Sequence, residues 1–144
     1  MLINAYSNHY PITVINNNPE EPLVYSLYNT DTINNDRNYY CMERWHRCFE
    51  FPEPFKLVLD DDIMLAPSLI KKMLALDTYM VGINGKKSVS TATNYSELEN
   101  VWLEDNQVDF LVGSAILIKQ EALNSIEKEI NKIGYPERGD DILI

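Results

Sequence analysis

The 144-residue sequence sets 22 acidic side chains against 12 basic ones, for a formal charge of −10, and 45% of it is hydrophobic. That is one domain's worth of chain with enough apolar material for a core. With no Lys/Arg run longer than two residues, it excludes a protein that grips nucleic acid by phosphate neutralisation or an acidic membrane through a basic face. No apolar run exceeds four residues, as at Ala115 to Ile118, far short of the roughly 20 residues of a membrane span. The N-terminus lacks the basic segment and long apolar stretch of a secretory signal, so a soluble, cytoplasmic chain is expected.

In chain order, Ile12 to Ile15 is β-branched and precedes the turn-forming Asn16-Asn17-Asn18-Pro19, which predicts a short buried strand ending in a loop. Val24 to Leu27 offers a second strand. Asn34-Asn35-Asp36 supplies helix caps ahead of a helix over Asn38 to Phe49, which Pro52 and Pro54 stop. Cys41 and Cys48 then lie about 10.5 Å apart along that helix, beyond the roughly 7 Å a disulfide spans, and should not pair with each other. Phe55 to Leu59 is a strand that runs straight into Asp60-Asp61-Asp62.

Pro67 opens the next helix, with Leu69, Ile70, Met73, Leu74 and Leu76 at helical spacing. Met80 to Ile83 is a strand and Asn84-Gly85 a hairpin turn. Lys86 to Gln107 is irregular or short-stranded; Asp109 to Val112 is a strand, Gly113 a bend and Ala115 to Ile118 its buried continuation. Leu123, Ile126, Ile130 and Ile133 line one face of a last helix, ended by Gly134-Tyr135-Pro136. Strands alternating with amphipathic helices predict an α/β sandwich.

The acid triplet is the most informative feature. An apolar strand is buried along its length, so carboxylates at its C-terminal end emerge together at the sheet edge where open α/β sheets bind ligands. Adjacent anions repel, and a divalent cation is their simplest neutraliser. With only His9, His46 and two separated cysteines besides, that metal would be held by oxygen, as Mg²⁺ or Mn²⁺ is. Along an extended segment Asp60 and Asp62 would share a side and Asp61 would point elsewhere. The competing reading is a solvated turn or a cap for the following helix. A second pair, Asp140-Asp141, opens Ile142 to Ile144 either as a helix cap or as a carboxylate facing the same site, acting as base or orienting an acceptor.

Arg44 and Arg47 are three apart, able to share a helix face and to fork onto phosphate oxygens; an exposed basic face is the alternative for Arg47. Trp45 is expected in the core. Trp102 suits core or edge packing better than stacking on a sugar, and Lys86 and Lys87 solvated positions better than an anion site.

Leu57-Val58-Leu59-Asp60-Asp61-Asp62-Ile63 resembles the strand and DXD motif of GT-A-fold glycosyltransferases, most closely the exostosin-like catalytic domain. Thr13-Val14-Ile15-Asn16-Asn17 resembles that family's donor-site strand, and Asn38 to Arg47 its Asn/Arg-bearing helix. Val81-Gly82, Phe110-Leu111-Val112-Gly113-Ser114-Ala115 and Gly139-Asp140-Asp141-Ile142 resemble later motifs in the same order. The resemblance runs from Ile12 to Ile144, and residues 1–144 are expected to form one glycosyltransferase-like domain without the family's usual first strand and C-terminal elements. It implies a mixed Rossmann-like sheet flanked by helices and transfer of a sugar from a UDP- or GDP-linked donor to a glycan or other hydroxyl acceptor. It further implies Mn²⁺ or Mg²⁺ on Asp62 with Asp60, donor contacts from Asn17, Asn38, Arg44, Asp60 and Asp61, and Asp141 with Asp140 at the reacting centre.

Two other readings compete. Haloacid-dehalogenase-type Mg²⁺ phosphatases also place Asp-X-Asp after a buried strand, but want Thr or Val where Met64 stands. A domain that binds nucleotide and metal without chemistry is the non-enzymatic one.

Overall fold

The computed structural model describes residues 6–24, 26–91, 94–102 and 107–136. Among them the chain is mixed α/β, with three small sheets and three α-helices.

The first sheet pairs β1 (Ile12–Asn16) with β2 (Thr30–Asn34) in parallel, Ile12 opposite Thr30 and Asn16 opposite Asn34. The second strand thus lies later than the expected Val24 to Leu27, where Val24 is 90% exposed. Thr30, Thr32 and Ile33 supply the β-branched surface. The Asn34 side chain fastens the loop before it, accepting the Leu23 N–H and donating to the Leu23 carbonyl, both at 2.8 Å.

Helix α1 covers Glu43–Cys48, half of the expected span. Upstream, Tyr40 adopts φ 58° and its N–H bonds the Asn38 side-chain oxygen at 2.8 Å. This Asx turn competes with helix and delays its start. Asn34, Asn35 and Asp36 do not cap the helix; Met42 holds the N-cap position with no side-chain bond.

The central sheet has the order β3 (Phe55–Leu59), β8 (Ala115–Lys119), β4 (Met80–Gly82), with both pairings antiparallel. So β3 and β4 run the same way on either side of β8, and helix α2 (Pro67–Ala75) joins them across one face. The pleat sorts the core into two halves. Ile116, Ile118 and Val58 pack with Met42, Trp45, Leu123 and Ile130 from α1, its N-cap and α3 (Gln120–Ile133). Ala115 and Leu117 pack with Ile70 and Met73 of α2, and with Leu65 and Tyr6. A strand buried on both faces reads as an unbroken apolar run, which is why Ala115 to Ile118 shows no alternation. Gly134, at φ 65°, stops α3.

The third sheet has the order β6 (Glu99–Trp102), β5 (Asn84–Lys87), β7 (Phe110–Leu111). A 3₁₀ turn at Tyr95–Glu97 precedes β6. Asn84-Gly85 is therefore not a hairpin turn but the start of β5. Gly85 is needed for close approach: a Cβ there would stand 2.7 Å from the Phe110 carbonyl oxygen. The chain passes between sheets at Ile83 and returns at Val112 to Ser114, so β7 and β8 are not one strand continued but members of two sheets. Trp45 is buried as expected, whereas Trp102 ends an edge strand 60% exposed. Both cysteines are free, Cys41 exposed and Cys48 buried. Among the described residues, no helix is long and apolar enough to cross a membrane.

Candidate functional site at the end of strand β3

Asp60 leaves β3 at the point where the central and third sheets exchange strands. Its N–H donates to the Ser114 carbonyl at 2.9 Å, and its own carbonyl accepts the Ile63 N–H at 3.2 Å. The second bond closes a turn over Asp60 to Ile63, so the extended alternation that would set Asp60 and Asp62 on one side stops at Asp60. Asp61 and Asp62 are exposed on this turn. Behind it, the buried Tyr6 hydroxyl donates to the Leu65 carbonyl at 2.6 Å and accepts the Leu65 N–H at 2.8 Å. That anchor has no local sequence signal, since Tyr6 and Leu65 are 59 residues apart.

Ser114 also ties the turn to the crossing strands. Its hydroxyl donates to the buried Asn84 side-chain oxygen at 3.2 Å, and the Val112 N–H bonds the Asn84 carbonyl at 3.3 Å. A Cβ on Gly82 would meet that carbonyl at 3.2 Å and the Ala115 carbonyl at 3.3 Å, so this crossing is tight. The segments Val81-Gly82 and Phe110 to Ala115, separate in sequence, thus converge beside the first acid.

Helix α1 contributes the cation. The Arg44 guanidinium makes a salt bridge and hydrogen bond to Asp60 Oδ1, with side-chain exposures of 15% and 35%. Arg47 does not join it: Nε bonds Glu43 at 2.7 Å, Nη1 bonds Glu50 at 2.8 Å and Nη2 bonds Asn35 at 3.2 Å. The hydrogen bond to Glu43 raises the Arg47 pKa above its ordinary value, against the opposing effect of burial. Arg37 lies over the Tyr39 ring at 4.5 Å. The three upstream arginines therefore do three separate things, and Arg44 is the one that reaches the acids.

Asn17 and Asn38 meet at Tyr40. Asn17 Nδ2 donates to the Tyr40 carbonyl at 2.9 Å, while the Tyr40 N–H goes to Asn38. The other end of the Asn17 amide accepts from Asn35 Nδ2 at 2.7 Å, so Asn17 is engaged at both ends, and Asn38 is exposed. From Asn35 the chain of bonds continues through Arg47 to Glu43, which is 2% exposed. Tyr135 closes it: burial first, then the charge of Glu43 and a hydrogen bond to it, push its phenol above the ordinary 10.0. The Tyr135 ring also packs on Tyr39 and His46, with centroids 4.9 and 4.5 Å apart. Asp140 and Asp141, a few residues on, lie outside the described residues.

The donor chemistry at Asp60 to Asp62 is all oxygen, with two carboxylates free to face solvent. Among the described residues, no three His, Cys, Asp or Glu side chains gather as a ligand set. A cation here would therefore take one or two carboxylates and complete its shell with water or phosphate oxygens. Mg²⁺ binds in that way, and a thiophilic metal does not. Compared with protein-family models, curated proteins and solved structures, the chain matches none.

Proposed function

We propose that the protein is a GT-A-type, metal-dependent glycosyltransferase that moves a sugar from a nucleotide-sugar donor to a hydroxyl acceptor such as a glycan. The observation that carries the reading is the pairing of Arg44 with Asp60 at the C-terminal end of a buried strand, beside two exposed carboxylates. A nucleoside diphosphate needs both signs of charge close together: a cationic fork for its oxygens and anionic ligands for its counter-cation. Asp62 with Asp60 would hold Mn²⁺ or Mg²⁺, and Asp61 would border the donor. When bound, the cation supplies Lewis acidity toward the leaving diphosphate. Arg44 binds phosphate oxygens, Asn38 and Asn17 form the polar wall at Tyr40, and Asp141 with Asp140 orients or deprotonates the acceptor hydroxyl.

Calorimetry with UDP and GDP, with and without Mn²⁺, tests this. The expected result is nucleotide binding that requires the metal and is lost in Asp62→Ala, together with donor hydrolysis or transfer. Binding without turnover would leave a nucleotide-binding domain. Phosphate release from a phosphomonoester would transfer the assignment to the phosphatase class.

A further inference from the structure

We infer that the exposed face of the third sheet around Trp102 is a binding platform for an uncharged saccharide, with the indole as its floor and Asn100 as its polar edge. Saccharide binding there needs neither the metal nor the nucleotide of the transferase reading, so the two can fail separately.

Trp102 is 60% exposed, although an indole is among the largest apolar surfaces a side chain can bury. The register of β5 and β6 fixes what surrounds it: Trp102 stands opposite Asn84, and Asn100 opposite Lys86. Opposed residues of an antiparallel pair point to one face, and alternate residues along a strand return to it. Asn84, Lys86, Asn100 and Trp102 therefore share a face, while Gly85 and Val101 point to the other. On that face the two strands give the exposed ring polar neighbours and no apolar one.

That composition selects the occupant. A protein partner buries a contiguous apolar patch, which a single indole beside amides does not offer. A saccharide presents a flat face of C–H groups with hydroxyls around its rim. The C–H groups meet the electron-rich face of the indole, and the hydroxyls find donor and acceptor in an amide such as that of exposed Asn100. Charge narrows the class. Glu97 and Glu99 are exposed just ahead of the ring, with Lys86 a single cation against them, and the chain carries −10 overall, so a sulfated or uronic saccharide is repelled.

Asn84 links the platform to the candidate site. Its side-chain oxygen accepts the Ser114 hydroxyl at 3.2 Å, and the Ser114 carbonyl accepts the Asp60 N–H at 2.9 Å. A saccharide on Trp102 is thus held near the strand crossing, where the proposed transfer requires its hydroxyl acceptor. That use of the platform rests on the transferase reading, whereas the binding does not.

The test uses the chain's two tryptophans, of which Trp45 is 1% exposed and serves as an internal standard. Fluorescence with acrylamide as quencher is recorded on the full chain during titration with cellohexaose, maltohexaose and chitohexaose, and with a hyaluronan hexasaccharide as the charged control, all without metal or nucleotide. A sugar stacked on one of the ring's two faces is expected to lower quenching of Trp102 by about half. At least one neutral saccharide should do this, and hyaluronan should not. By calorimetry, Trp102→Ala should abolish binding, while Trp102→Phe and Asn100→Ala should each keep it at several-fold lower affinity. Unshifted Trp45 emission shows that each variant folds. No protection by any neutral saccharide, or undiminished binding in Trp102→Ala, overturns the inference. So does protection that grows with protein concentration in the absence of sugar, which would show a second copy adding a strand at β6. Tighter binding of hyaluronan than of the neutral saccharides overturns the uncharged class. Saccharide binding by a chain that takes up no UDP with Mn²⁺ leaves this inference standing and the transferase reading refuted.

Discussion

The central sheet and the first sheet are held to helix α1 by opposite means. On the central sheet, Ile116, Ile118 and Val58 meet Trp45 and Met42 of the α1 region across a dry face, and the attraction is non-directional burial. The first sheet reaches the same helix through a row of directional bonds, from Asn17 to Asn35 to Arg47 to Glu43. The first arrangement tolerates small shifts and fails when volume is lost. The second tolerates change in volume and fails when one partner is removed and leaves its neighbour unsatisfied. Arg44 lies between the two, on a helix fixed by apolar contact on one side and by polar contact on another. That difference fixes where the candidate site is robust and where it is fragile.

The largest effect should come from the dry side. Ile116 is fully buried in β8, the middle strand of the central sheet, so Ile116→Ala should cost about 2–5 kcal/mol in urea unfolding, the lost transfer energy plus a cavity. A cost below about 1 kcal/mol would mean that the sheet does not hold α1 by packing. The polar side should respond less but more locally. Glu43→Ala takes a buried carboxylate from Arg47, which keeps Glu50 and Asn35, and from Tyr135, so the expected cost is about 1–3 kcal/mol, less than that of a fully buried pair because Arg47 is 28% exposed. The Tyr135 phenol, held above its ordinary value by burial and Glu43, should titrate lower in that variant, as read by ultraviolet absorbance. An unshifted phenol would show that Tyr135 is not tied to α1 through Glu43.

The same contrast explains what could be read from the sequence. Elements built on apolar period are legible: Phe55 to Leu59, the Pro67 helix and the Leu123-Ile126-Ile130 face lie where expected, while Ile133, expected on that face, is 50% exposed at the helix end. The acid triplet's place at a strand end was legible for the same reason. Elements decided by amide bonds were not. Asn34 to Asp36 read as helix caps because their type suits caps, yet Asn34 closes a loop on Leu23 and Asn35 bridges Asn17 and Arg47. Asn84-Gly85 read as a turn because glycine permits one, while the structure needs that glycine for clearance from Phe110. Periodicity places a residue on a face but does not name the sheet, so β7 and β8 looked continuous. Tyr6, Glu43 and Tyr135 carried no signal at all, because the partners that give them meaning are distant in sequence or are themselves polar. The spacing of Arg44 suits phosphate; its pairing with Asp60 is one that the fold supplies.

The smallest expected effect uses Cys48, on the dry face, as a probe of how closed that face is. Burial raises its thiol from the ordinary 9.0 to about 11, opposed by the nearby charges of Lys56 and Arg44. The folded state therefore keeps a proton that the unfolded state releases first. Stability from this group is full below about pH 9 and is lost as pH rises toward 11, by about 1 kcal/mol at pH 10. Lys56, whose amine burial shifts downward, acts in the opposite direction, because the folded state releases that proton earlier. Comparing the unaltered protein with Cys48→Ala at pH 8 and pH 10 separates the two, since only the thiol's share disappears in the variant. The unaltered chain should lose more stability over that interval than Cys48→Ala does. At pH 8 a thiol reagent should modify exposed Cys41 promptly and Cys48 only on unfolding. Equal alkaline losses in both proteins, or prompt reaction of both thiols, would mean that the face between α1 and the central sheet opens readily, and that Arg44 rests on a looser support than its packing implies.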